Sequence, residues 1–454
     1  MGISTFLGLE TTLRGILAQQ RAIDVAGHNI ANASTVGYTR QRADLVTTPA
    51  FTDVPAGQLG TGVDVAQYTR VRSDFLDIQL RAQTMRKGYA SAQQDGLNQI
   101  ELSLSEPSDT GLSALFGKYW SAWQNLSNAP EDPATRQALV QSAATLANGF
   151  NGLASQLTTI QGQTTQDQTL TVNQINSIGT QIGALTGSIK AAELAGEQPN
   201  DLLDKRDVLI DQLSELGNVS ISTTAGTPGT LGAIDVSIGG TLLVTDTTAS
   251  TVALPLASLT SGKLAGLQAV INAISDPVVG YLTKLNQLAA TLASATNTQH
   301  ALGTDLAGNP GGNFFSVTPG NEAATIAVDP LILASPALVA ASSTGAPGDA
   351  GNALALADLQ QQPLVAGATI DGTYSSLVTQ IGSDSQQAKQ NLANASSLVD
   401  ALENRRQSVS GVSLDEEMTS LLQFQRGFQA SARALNAMDQ MIDELINRTG
   451  RVGL

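Results

Sequence analysis

The sequence predicts a mainly α-helical chain with a smaller β-rich part, arranged as an elongated, nested, multi-domain rod. Three observations lead there. Apolar residues recur at alternating three- and four-residue steps near the start of the chain and again near its end. Strict alternation of apolar and polar residues, the strand period, is confined to a short stretch near the middle. The terminal helices are therefore expected to pair as a coiled coil, with a helical bundle next and a β insertion in the centre.

The first element is an amphipathic helix. Phe6, Leu9, Leu13, Ile16, Gln20, Ile23, Gly27 and Ile30 share one heptad seam, and Ser4 is placed to cap its start. The span from Phe6 to Ile30 would make a rod of about 37 Å. Residues 88–104 and 110–127 carry further helical patterns. In the second, Trp120 and Trp123 read as bundle core with Leu112, Leu115, Phe116 and Tyr119. Asn128–Pro133 is a turn, with Asp132 as N-cap and Pro133 in the first helical position.

A long helix is then expected to reach about Lys190. Leu139 to Ile160 form one seam, Ile175 to Ile189 another, and Thr164, Gln168 and Thr171 bridge them with polar residues. Leu202, Leu209, Leu213 and Leu216 mark another heptad helix. Ile234, Val236 and Ile238 alternate, Gly239-Gly240 follows, and Thr241–Val244 completes a hairpin pattern. Helical pattern returns over 262–300, gives way to Gly/Pro/Asn-rich sequence over 302–350, and resumes from Asn352 to about Gln407.

The last helix starts at a capping box, Ser413 with Glu416, and Asp415 and Glu417 suit a helix N-terminus. Leu414, Met418, Leu421, Phe428, Ala432, Leu435, Met438, Ile442 and Leu445 follow on one face. The expected division is a terminal coiled-coil assembly domain of residues 1–72 with 412–454. An elongated bundle domain takes 73–217 with 262–411, including an irregular or β part near 302–350, and a small β-rich insertion takes 218–261.

Composition narrows the function. The net charge of −16 disfavours nucleic acid, whose phosphates call for clustered Lys and Arg. All eight cations of residues 1–50 and 413–454 are Arg, which suits planar, partly buried contacts. There is no Cys, so disulfides and thiolate metal sites are excluded, and His28 and His300 are too far apart to suggest a metal pair. No apolar run is long enough for a membrane helix, and no secretory leader or lipidation pattern is read at the start.

Gly57–Gly62 lacks the Lys and the context of a phosphate loop and reads as a β-turn, and Asp305–Gly312 lacks the carboxylate spacing and terminal Glu of a calcium loop. No nucleophile–base pair can be argued. An enzyme is not expected, nor a cofactor.

The end of the first helix carries Asn29-Ile-Ala-Asn32, then Thr35, Gly37, Tyr38 and Arg40. This long, ungapped run resembles the N-terminal signature of the bacterial flagellar rod and hook axial protein family. Gly411–Met418, with Gln423, Gln425 and Gln429–Arg433, resembles the members of that family found at the hook–filament junction. So does Asn200–Asp207, and less sharply Asn297, Gln299 and His300 with Gly303 and Gly308. Phe424 and Phe428 stand where relatives are expected to have Tyr, and the β insertion is short.

The resemblance implies a structural subunit that joins hook to filament through self-assembly of its terminal helices. It implies a homo-oligomeric ring or tube, with hook protein on one side and a second junction protein or the filament on the other. It further implies unfolded export through the flagellar type III channel and an export chaperone at the C-terminal helix. Another axial protein, hook or distal rod, is the nearest alternative, and a secreted coiled-coil adhesin a more distant one. The expected interface comprises Phe6, Leu9, Leu13, Ile16, Ile23, Ile30, Leu414, Met418, Leu421, Phe428, Leu435, Ile442 and Leu445. The turn residues Asn29, Asn32, Thr35, Gly37, Tyr38 and Arg40 are expected to touch neighbouring subunits, so that alanine at Tyr38 or Gly37 should leave the isolated chain folded yet block junction formation.

Overall fold

The computed structural model describes residues 6–53, 57–224 and 232–447. The chain is mainly helical, with four small antiparallel sheets among the described residues. In chain order the N-terminal part is α1 (Leu7–Asn32), β1 (Gln41–Thr47), β2 (Phe51–Asp53), β3 (Gly57–Leu59), β4 (Val63–Arg70) and α2 (Asp74–Leu104). Next come α3 (Leu112–Asn128), α4 (Pro133–Leu194), α5 (Asn200–Leu216), β5 (Val219–Thr223), β6 (Ile234–Ile238), β7 (Thr241–Thr245) and β8 (Thr248–Ala249). The chain continues through α6 (Gly262–Ser275), α7 (Tyr281–His300), β9 (Phe315–Ser316), α8 (Glu322–Thr325), β10 (Ala327–Val328) and α9 (Pro330–Ala334). It ends with α10 (Gly351–Asp358), α11 (Ile370–Ser410) and α12 (Leu414–Asn447).

These elements form two compact units. One takes residues 1–85, 174–258 and 396–454, and the other takes 86–173 and 259–395. The helices α2, α4 and α11 contribute residues to both. In this division the small β5–β8 sheet and α5 belong with the chain ends.

The second unit holds the large hydrophobic core. Phe116, Tyr119, Trp120 and Trp123 of α3 pack with Phe150, Phe314, Phe315 and Tyr374. Burying one such ring contributes roughly 2–3 kcal/mol. Polar tips are matched: Trp120 Nε1 donates to Asp371 at 3.1 Å, and Tyr119 Oη lies 3.1 Å from Thr296 Oγ1. The His300 ring is buried between Gly312 O, 2.8 Å from Nδ1, and the Ala340 N–H, which donates to Nε2 at 2.9 Å. Asn297 ties the chain beside it, its Oδ1 accepting from the amides of Phe314 and Phe315 at 2.8 Å each. These contacts give a packing role to a motif that the sequence read least sharply.

Asp132 does cap α4, accepting from the Ala134 amide at 3.0 Å, with Pro133 in the first position. Thr164, Gln168 and Thr171 form the expected polar layer. The two Thr hydroxyls fold back on Ile160 O and Asp167 O, and Gln168 meets Gln268 at 3.1 Å.

In the first unit, β6 buries Ile234, Val236 and Ile238, and Gly239 and Gly240 turn the chain with φ of 55° and 77°. Two positive φ values give the hairpin the twist its strands need. Leu243 seats against Gly179 of α4, and Asn176 brackets the Val252 backbone.

Several expectations are corrected. The helix expected at 88 begins at Asp74. The helical pattern of 262–300 is two helices, because Asp276 and Pro277 open a turn whose amides bond to the Asp276 carboxylate. The pattern of 352–407 breaks between Asp358 and Ile370, around Pro363 and Gly367. Residues 41–70, read from the sequence only as a β-turn at Gly57–Gly62, form two short sheets in which β1 pairs with β4 and β2 with β3. Their alternation is mixed with exposed apolar residues, so the strand period is hard to read.

Candidate assembly interface

The two chain ends meet in the first unit as an antiparallel helix pair, α1 against α12. Gly8 faces Met438, Gly15 faces Ser431, Gln19 faces Gly427 and Asn29 faces Glu417. The two residue numbers of each couple add to the same value, so the register holds along the whole pair. On α1 the inward residues are small: Ala18, Ala22 and Ala26 are buried, with Gly8 and Gly15 below them. A Cβ added at Gly8 would lie 2.9 Å from Met438 Sδ, and one at Gly15 would lie 3.2 Å from Ser431 Oγ.

Small residues on α1 let the helices approach closely and displace the larger apolar stripe outward. Phe6 (56% exposed) and Leu13 (46%) lie on the surface, as does Leu17, while Leu9, Ile16, Ile23 and Ile30 are half-buried. On α12, Leu414 and Met418 are exposed, and Leu421, Phe428, Leu435 and Ile442 are half-buried. Gln20 and Gln425, the polar seam positions, face solvent. The expected Ser4 cap and the side chain of Leu445 lie outside the described residues.

The turn after α1 closes around Asn29, whose amide is fully used. Its Nδ2 donates to Gln41 O (2.9 Å) and Glu417 Oε2 (3.1 Å), and its Oδ1 accepts from Tyr38 Oη (2.7 Å) and the Gln41 amide (2.9 Å). The Glu417 carboxylate is buried and also receives Arg40 Nε at 2.7 Å. Arg40 Nη1 reaches Glu416 at 2.8 Å, and the Arg40 amide donates to Ser410 O at 2.9 Å. Desolvation by burial, with Asp201, Asp204 and Glu417 nearby, pushes the Tyr38 hydroxyl far above its ordinary range and keeps it a proton donor.

The capping box at Ser413 is half formed. Ser413 Oγ accepts from the Glu416 amide at 3.5 Å, while the Glu416 carboxylate turns away to Arg40.

The other signature residues also serve the chain's own fold. Thr35 donates to Asn32 Oδ1 at 3.2 Å, and Asn32 Nδ2 donates to His28 O at 3.0 Å. His28 meets Asp201 at 3.3 Å and stands edge-on to Tyr38. Gly37 has φ of 79°, and a Cβ there would lie 2.0 Å from Val208 Cγ2. Alanine at Gly37 is therefore not tolerated without strain, contrary to expectation. Val36, at the tip of the turn, is 89% exposed.

An Arg–Asp cluster secures the rest. Asp204 and Asp207 of α5 accept from Arg70 Nη1 at 2.9 Å each, and Asp207 also pairs with Arg72 at 2.6 Å. Arg81 bonds to Asp211 at 2.6 Å, and Arg406 of α11 reaches the same carboxylate at 2.7 Å. Asp204 additionally accepts the Thr39 amide at 2.8 Å. Burial alone would raise Asp207, but the guanidiniums of Arg72, Arg70 and Arg81 outweigh it and hold the carboxyl below its ordinary value. The Asn200–Asp207 motif thus docks the signature turn and the β1–β4 pair on α5.

Sequence reasoning missed the small seam; it placed Glu417 only at a helix start and Asp204 only within the Asn200–Asp207 resemblance, without their partners Asn29, Arg40 and Thr39. The signal for the seam was present in the seven-residue spacing of Gly8, Gly15, Ala22 and Asn29, but glycine and alanine add little to a hydrophobic count.

The likenesses to known proteins are concordant. A family model for the flagellar hook-associated protein FlgK helical domain matches residues 97–315. Models for the flagellar basal body rod FlgEFG protein C-terminal region and the flagella basal body rod protein match 404–448 and 9–39. The chain is 33% identical to flagellar hook-associated protein 1 of Bacillus subtilis (strain 168), over 98% of this chain and 99% of that one. It is 26% identical to the protein of that name from Escherichia coli (strain K12), over 97% and 99%. The solved structure of the flagellar hook junction protein FlgK from Burkholderia pseudomallei matches with a TM-score of 0.65 and 20% identity. It covers 73% of this chain and all of the solved chain, and it supports the fold. With glycine-seamed chain ends, the turn signature and a relative one-third identical over nearly its whole length, this chain belongs to the flagellar hook-associated protein 1 family.

Proposed function

We propose that this chain is a structural subunit of the bacterial flagellum that joins hook to filament, held in place by self-assembly of its terminal helices. The family is a structural one, and the finer reading is that this chain carries no catalytic activity. One observation carries the proposal. The α1–α12 pair closes with small residues on the α1 side and leaves Phe6, Leu13, Leu17, Leu414, Met418 and Leu422 exposed on the two helices. Exposed large apolar side chains on paired helices call for further helices to cover them.

In the assembled state these residues would be covered by neighbouring copies, with hook protein on one side and a second junction protein or the filament on the other. Before assembly they would be sticky, which supports an export chaperone at the C-terminal helix and passage through the type III channel unfolded. No helix among the described residues is long and apolar enough to cross a membrane. We retain the division into a terminal domain, a bundle domain and a β insertion as a description of the assembled subunit.

The test is electron microscopy of cells lacking the chain, complemented with Phe6→Ser/Leu13→Ser. Cells without it should carry hooks but no filaments, and the double variant should fold yet fail to restore them. Filaments of ordinary number in either strain would sink the proposal.

A further inference from the structure

Charge is distributed very unevenly over the long helices. α2 carries seven charged residues in 31 positions, and α11 seven in 41. α4 carries four in 62, and within the second unit its residues 137–173 contain Asp167 as their sole charge. At the chain's overall 14% of charged residues, about five would be expected there. The neutral stretch is not hidden: Gln141, Thr145, Gln156, Thr159, Gln163 and Thr169 are exposed. An open groove runs beside it between α3 and α4, lined by small residues that include Ala114, Gly117, Ala138 and Ser142. Its one cation, Lys118, is turned onto the Asp109 carbonyl at 2.8 Å.

The same unit has a second neutral surface. Residues 285–299 of α7 contain no charged side chain, and Ala290, Thr291, Ser294 and Thr298 line a groove with Gln362 and Leu364. Meanwhile this unit holds 15 acids against seven Lys and Arg. Two copies of such a unit repel wherever their charged faces meet, and like charges brought into contact cost several kcal/mol. A neutral amide and hydroxyl face escapes that cost and can both donate and accept hydrogen bonds. A side-by-side contact repeated around a ring or helix is heterologous, so it needs two different faces.

We propose that the neutral face of α4 in one copy packs against the neutral face of α7 in the next. This rests on the proposed self-assembly and adds a lateral contact separate from the terminal helices. The lateral contact accounts for the scarcity of charge on this exposed stretch of α4, where α2 and α11 carry more.

The chain has no Cys, so engineered thiols are unambiguous. Gln156→Cys/Ser294→Cys is expressed in cells, flagella are isolated, and a short bismaleimide is added. The pair should give a ladder of dimers and higher multimers, and Glu101→Cys/Ser294→Cys should not. Loss of the ladder with the chain present in flagella would overturn this contact and leave the junction role standing. Absence of the wild-type chain from isolated flagella would overturn both.

Charge gives a second readout. Gln156→Glu and Gln156→Lys should each cut filament-bearing cells about tenfold, since either sign must be desolvated in the contact. If the Lys variant matches or exceeds wild type, bulk charge governs assembly and the proposal falls.

Discussion

Asn29 and Glu417 are 388 positions apart in the chain and 3.1 Å apart in space. This contact sits where the helix pair meets the signature turn, and it makes the two chain ends one structural object. Asn29 has no spare hydrogen-bonding capacity, and Glu417 is a buried carboxylate whose other partner is Arg40. Asn29→Ala should destabilise the first unit by about 2–4 kcal/mol, because it strands Tyr38 Oη, the Gln41 backbone and one side of Glu417. Asn29→Asp should cost more at neutral pH, since it places a second carboxylate against Glu417. Urea unfolding followed by circular dichroism measures both, and an unchanged midpoint would remove Asn29 from this role.

At Gly37, two separate penalties meet. The left-handed backbone costs about 1 kcal/mol for a residue with a Cβ, and the contact with Val208 adds to it. Gly37→Ala should lower stability by about 2–3 kcal/mol. Gly37→Ala/Val208→Ala should recover the steric part and keep the backbone part. A double variant no better than the single one would show that the clash with Val208 is not what excludes a side chain.

The two stripes of α1 should respond oppositely to substitution. Gly15→Leu would drive a side chain into Ser431 and wedge the helices apart, costing about 1–3 kcal/mol in the isolated chain. Leu13→Ser, on the exposed stripe, should change the melting temperature by little. Filament-bearing hooks should nevertheless fall in the Leu13→Ser strain. Thermal melts alongside electron microscopy separate the two effects.

Acid should loosen the Arg–Asp cluster. The Asp207 carboxyl is held below its ordinary value of 3.8, so on acidification the unfolded chain takes up this proton first. The stabilisation is complete above that ordinary value and fades as pH falls through the folded one. Asp207→Asn should lower stability near neutrality and flatten the acid limb of a stability–pH curve. A curve parallel to wild type would show that Asp207 is not the linked group.

His300 gives the second unit its own dependence. Burial lowers its proton affinity below the ordinary 6.5, outweighing the contact with Gly312 O. The neutral ring, accepting from the Ala340 amide, is therefore the stable form. Its contribution is full above the ordinary value and is lost as pH falls below it through the folded value. Gln at His300 should remove this slope, checked by following tryptophan fluorescence of the α3 core during unfolding at several pH values.

Much of this fold was legible because helices announce themselves locally. The caps at Asp132 and Pro133, the polar layer of Thr164, Gln168 and Thr171, and the Gly239-Gly240 hairpin all follow from residues close in sequence. The signature turn was legible as a motif, and its reading as a surface turn was incomplete. Tyr38, Arg40 and Gly37 are engaged with Asn29, Glu417 and Val208, partners whose positions no local pattern specifies.

The sequence by itself determined that the chain is mainly helical, that the two ends carry heptads, and that the middle turns to strands, because helix and strand periods are written in neighbouring residues, although several helix limits were set elsewhere. Only the tertiary structure decided which α1 stripe closes the pair. Large apolar side chains dominate a periodicity count, yet close approach of two helices selects the glycines and alanines of α1. That choice leaves Phe6, Leu13, Leu414 and Met418 on the surface. It also joins Asn29 to Glu417 across nearly the whole chain, a contact that arises from shape and charge at one point in space.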